Sequence, residues 1–199
     1  MTGINIKNIL IMKKFLSIII ACCFVISCFA QEHLSFKGIP ITGSMTAFCK
    51  ALSQKGFTKI GSENNIAIFK GDFTGRKATV GVGATDDGKN VHSVVVFFDE
   101  SSEWRTLVNT YDYYKDIYTR KYGEPAACKE YNPSRQDSNI LLMYELGQGT
   151  VTYEAAWSVT GGTIEISIEK SGYSNGMVVI KYRDAQNVEA KIQRDIDDI

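Results

Sequence analysis

Two histidines, five cysteines and 22 acidic residues are the groups in this chain with the chemistry to hold a metal or start a reaction. His33 and His92 stand far apart, and neither has a cysteine at the short spacing of a zinc site. Asp86-Asp87-Gly88 has the outline of a calcium loop. It lacks the alternating ligands and closing glutamate, so Asp86 to Asn90 reads as a hairpin turn. There is no Gly-x-Ser-x-Gly elbow. Cys49 would be a nucleophile only if free and exposed; it falls on an apolar helical stripe, and no spacing rule makes His92 its base. Gly71 to Lys77 carries glycines and basic residues but no following helix to cradle a phosphate. Glu165 and Glu169 share the wet face of one strand, and Glu154 can join them from its neighbour. Such a patch does acid–base work in a cleft, or keeps a sheet face soluble. These patterns assign no catalytic residue, no metal and no cofactor.

The elements that would position these residues follow from periodicity. Ser44 caps a helix whose stripe is Met45, Phe48, Cys49 and Leu52, closed by Gly56. Strands are expected at Ile66 to Phe69, Ala78 to Ala84 and Val91 to Phe98, with His92 a structural ring in the last. A second helix starts at a cap from Ser101 or Ser102 and ends at Gly123. Trp104, Leu107, Val108, Tyr111, Tyr118 and Tyr122 share one arc of it, Tyr114 sits at the rim, and Lys115 snorkels from inside the arc. Tyr113 and Ile117 point the other way, one turn apart, and mark either a partner site or ordinary surface. Strands are then expected at Ile140 to Leu146, Val151 to Val159, Ile164 to Ile168 and Met177 to Tyr182. Val188, Ile192, Ile196 and Ile199 form a short closing helix. The fold class is α+β: an antiparallel sheet of about seven to eight strands with two main helices on one face. Its helix-then-meander order is shared by segments 36–100 and 101–184.

The first 30 residues read as a secretory signal. Lys13 and Lys14 precede an apolar run from Phe15 to Ala30, shorter than the roughly 20 apolar residues of a spanning helix. Cleavage after Ala30 leaves 31–199 as a single domain with net charge near −3, so bulk charge draws it neither to nucleic acid nor to anionic lipid. Alternatively, Val25-Ile26-Ser27-Cys28 resembles a bacterial lipobox, which implies diacylation of Cys28 and a membrane only through that anchor. Cys49 and Cys128 would then be the remaining cysteines: one long-loop disulfide in an oxidising compartment, or two separate buried thiols. His33 would lie in a flexible new N-terminus.

Phe36-Lys37-Gly38-Ile39-Pro40-Ile41 and Lys121-Tyr122-Gly123-Glu124-Pro125 resemble stretches of small exported proteins of unknown function from Gram-negative bacteria. The element order is similar to that of β-lactamase-inhibitor proteins and small outer-membrane assembly lipoproteins. The resemblance carries no site residue, and a fold does not give a function. The expectation is an exported, periplasmic or extracellular protein, or alternatively an outer-membrane lipoprotein. Its role would be non-catalytic binding of another envelope protein or a surface ligand. The alternative is a small envelope hydrolase with a carboxylate or cysteine site.

Overall fold

Strict alternation of apolar and polar residues makes a sheet with one dry face, and that sheet is the frame of this molecule. In a computed structural model describing residues 32–133, 138–172, 174–197 and 199, the elements run β1 (Ser35–Phe36), β2 (Ile39–Pro40), α1 (Met45–Gln54), β3 (Thr58–Glu63), β4 (Ile66–Phe73), β5 (Arg76–Ala84), β6 (Val91–Phe97), α2 (Trp104–Tyr122), β7 (Ala127–Tyr131), α3 (Asn139–Gln148), β8 (Thr152–Val159), β9 (Gly162–Ser171), β10 (Asn175–Asp184) and α4 (Ala185–Asp197). The expected leader, with Cys28 and the Ala30 exit, lies outside the described residues. Residues 33–199 form one compact unit. No helix among the described residues is long and apolar enough to cross a membrane.

Eight strands pair in the order β3-β4-β5-β6-β10-β9-β8-β7, all antiparallel. The first half is a helix followed by four strands, the second a helix, one strand, α3 and three more strands, and the last strands of the two halves, β6 and β10, meet at the centre. Register fixes which side chains share a face. Phe69, Val80, Val96, Ile180, Ile166 and Ala155 lie directly opposite one another along one row. All six are buried in one core cluster with Phe48 and Leu52 of α1 and with Trp104, Leu107, Tyr111, Tyr114 and Tyr118 of α2. Phe36, from the small β1–β2 hairpin, stacks on Phe73 and joins the same cluster.

Two glycines show how tightly this face is filled. A Cβ on Gly71 would stand 2.4 Å from the Phe57 ring, and one on Gly176 would stand 2.7 Å from both Leu107 and Leu146. Helix and loop side chains therefore rest directly on bare backbone.

Three expectations need correction. The stretch from Ile140 to Leu146 is not a strand but the body of α3. Leu142, Met143 and Leu146 bury one helical flank, and Gly149, left-handed at φ 69°, closes the helix. The sheet instead gains two edges, β3 and β7, whose polar and mostly exposed residues gave no alternating signal. The N-terminus of α2 is capped neither by Ser101 nor by Ser102. Asn139 reaches across from α3, and its Oδ1 accepts the Trp104 N–H at 2.6 Å.

Candidate functional site

The second face of the sheet is largely open to solvent, although Val179 and Ser167 are buried on it, side by side and next to Phe97. Ile66, Ile68, Val95, Phe97, Lys181, Arg183, Glu165, Glu169 and Glu154 lie on it by register, and none of them is buried. Its β4–β6 half is apolar. A Cβ on Gly81 would meet the Phe97 ring at 3.6 Å and the Ile66 Cγ2 at 3.8 Å, so these side chains converge over a strand that offers them only backbone. Val95 and Ile68 flank Gly81 in the adjoining register positions. Ile66 remains 47% exposed.

The β8–β10 half is an ion-pair ladder. Lys181 Nζ lies 3.4 Å from Glu165 Oε1 and 2.5 Å from Glu169 Oε1, and Arg183 Nη1 lies 3.2 Å from Glu165 Oε2. Ser167 donates its hydroxyl proton to Glu169 at 2.7 Å. Burial opposes the charge on Glu169, but the Lys181 and Ser167 bonds win and hold its pKa below the usual carboxylate range. A general acid needs a pKa raised towards neutrality; this carboxylate is shifted the other way. The expected Glu154–Glu165–Glu169 patch is thus brought together on one face, with Lys181 and Arg183 tying up two of its three members. Beyond it, Ala127 and Ala156 floor a recess of about 270 Å³ rimmed by Lys129, Glu154 and Glu165.

Cys49 and Cys128 carry free thiols. The expected bridge cannot form. Cys49 sits on α1, which packs on β5 and β3, while Cys128 is on β7 at the opposite edge. Five strand spacings separate β5 from β7, about 24 Å, against the roughly 7 Å limit between bridged Cα atoms. Half-burial raises the Cys49 thiol pKa, although the Lys59 charge opposes it, which makes this thiol a poor nucleophile. Cys128 is exposed and points its Sγ to Glu130 Oε1 at 3.7 Å.

Glu130 is the hub of the cluster around that thiol. Lys115 Nζ and the Tyr111 hydroxyl both donate to Glu130 Oε1. Lys115 therefore snorkels as expected, to a named partner, and the bond raises its pKa. Burial, followed by the Glu130 charge, pushes the Tyr111 phenol far above its ordinary range. Tyr111 stays a hydrogen-bond donor.

The remaining candidates have structural duties. His33 is not in a flexible end: its Nδ1 lies 3.0 Å from Asp184 Oδ2. That carboxylate is fully buried and also accepts the backbone N–H groups of Leu34 and Asn187. His92 fills a bulge where β6 meets β5, and burial, with the Lys191 charge second, lowers its pKa. Asp86-Asp87-Gly88 is a turn, with Asp87 accepting from the Thr85 hydroxyl and the Lys89 N–H. No group of three or more His, Cys, Asp or Glu among the described residues can hold a metal ion. Ile117 packs against the core, so it does not pair with Tyr113 as an outward face; Tyr113 is 44% exposed and carries the Arg76 guanidinium 5.1 Å over its ring.

Sequence reasoning missed the apolar half of the open face. Val91 to Phe98 is apolar on both faces, which reads as a doubly covered central strand, yet only one of those faces meets the helices. Compared with protein-family models, curated proteins and solved structures, the chain matches none.

Proposed function

We propose that this chain is an exported, non-catalytic binding or accessory protein of the cell envelope, and that it holds a partner protein against the open face of its sheet. The observation that carries the reading is the composition of that face. Ile66, Ile68, Val95 and Phe97 form an apolar centre, and Lys181, Arg183, Glu165 and Glu169 form a charged flank whose members neutralise one another. Apolar centre and satisfied polar rim are the anatomy of a protein interface. The flank adds specificity with little net charge to desolvate. Export rests on the leader, and two outcomes separate its forms: a mature mass beginning at Gln31 identifies cleavage after Ala30, and a diacylated Cys28 identifies the lipoprotein.

The test is the double substitution I68D/F97D. Both residues are partly buried, so stability falls by about 2–4 kcal/mol, and folding of the variant is checked by circular dichroism. Partner binding in envelope extracts is lost, while binding by E165Q, at the rim, weakens modestly. Retained binding by the folded double variant would refute the reading.

A further inference from the structure

We infer that α4 is a self-association helix, and that its occupant is α4 of a second copy of this chain. Val188, Ile192 and Ile196 of α4 fall within an arc of about 80° at 100° per residue, and Ile199 follows beyond the helix end. Ile192 is 45% exposed, Ile196 56%, and Ile199 fully so. The molecule's own body lies behind this stripe. Asn187 donates to the Ile41 and Val91 carbonyls, and Arg194 reaches Asp87. Val188 is partly covered at the inner end of the stripe, and Ile192, Ile196 and Ile199 face outward, where nothing among the described residues buries them.

Charge selects the occupant. Residues 185–199 carry Glu189, Asp195, Asp197 and Asp198 against only Lys191 and Arg194, an acidic balance that an anionic lipid surface repels. Lys191 and Asp195 line the same edge of the stripe as an i,i+4 pair of opposite sign. Two antiparallel copies related by a two-fold axis beside Gln193 bring Lys191 of each level with Asp195 of the other. The same axis interleaves the apolar residues. With a rise of about 1.5 Å per residue, the helical ones succeed one another as Val188, Ile196 and Ile192, alternating between the two copies, then repeat in reverse. The neighbours stand about 3 Å apart along the axis, with none level with its own mate. One register thus satisfies both the apolar and the charged residues. Such an isologous contact closes on itself and makes a dimer rather than a fibre.

The experiment is sedimentation velocity over a concentration series, on protein purified as its cell produces it. The expected result is a reversible dimer that I192D/I196D weakens at least about tenfold. K191E alone and D195K alone each weaken it too, by placing like charges together. An equimolar mixture of K191E and D195K recovers it, because each interface then has two ion pairs again. Recovery in the mixture cannot come from repairing the helix, since neither chain regains its internal pair. I68D/F97D leaves the dimer intact, which keeps this test apart from that of the open sheet face. A wild-type chain that stays monomeric throughout, or a mixture no more dimeric than its components, overturns the inference.

Discussion

Glu130 shows how one carboxylate organises an edge of this molecule. It accepts from a lysine and a tyrosine of α2 and from the thiol of its own strand, so it stitches the exposed β7 to the helix. Burial opposes its charge, but Lys115 outweighs it, and the Glu130 pKa sits below the ordinary carboxylate value. A depressed carboxylate stabilises fully above its unfolded pKa, near 4.3, and that contribution drains away as pH falls through the lower folded value. E130Q should destabilise by about 1 kcal/mol at pH 7, since both partners are partly exposed, and by almost nothing at pH 2. Urea titrations at the two pH values measure the difference. Asp184 is the opposite case, fully buried with three donors; D184A should cost about 3 kcal/mol or more and raise hydrogen exchange at Leu34. Thiol chemistry gives a third check. Native protein should label at Cys128 at once and at Cys49 only slowly, and both should label after unfolding without reductant. The sequence places Lys115 legibly inside an apolar arc. Its partner was illegible because Glu130 belongs to a strand with no alternation. The Asp184–His33 bond spans 151 positions, beyond any local pattern.

At the scale of elements, legibility tracks burial. Helix α2 and strands β5, β6, β8, β9 and β10 each bury one face more deeply than the other, and their periodicity follows from that. The two edge strands bury almost nothing, so the physics that writes a hydrophobic pattern never acted on them. The run Ile140 to Leu146 misleads for another reason. A short, continuously apolar segment suits a buried strand or a buried helix, and only the contacts of Leu142, Met143 and Leu146 decide. Helix α3 also caps α2, through Asn139. N139A should therefore cost about 1 kcal/mol by freeing the Trp104 N–H and the Ser102 carbonyl, whereas L142A should cost about 2–4 kcal/mol by opening a cavity; denaturant midpoints at unchanged slope report both.

On the scale of the whole molecule, α1, α2 and α3 pack on one side of an eight-stranded sheet, and most of the other side is left to solvent. That asymmetry was partly visible in the sequence. Ile164, Ile166 and Ile168 alternate with Glu165, Ser167 and Glu169, which makes one dry and one wet face on β9. The apolar half of the wet face was not visible, because a strand with two apolar faces reads as doubly covered until its neighbours are known. Gly81 becomes legible only with register, as the low ground over which Phe97 and Ile66 meet. The partner surface proposed above is this uncovered face. A photo-activatable phenylalanine analogue placed one site at a time in the producing cell tests it most directly, at Ile68 and Phe97 on the open face and at Lys50 and Arg105 on the helical side. The prediction is one discrete heavier adduct from positions 68 and 97, with none from 50 and 105. Adducts confined to the helical side, or none from the open face of a protein that is folded and exported, would contradict it.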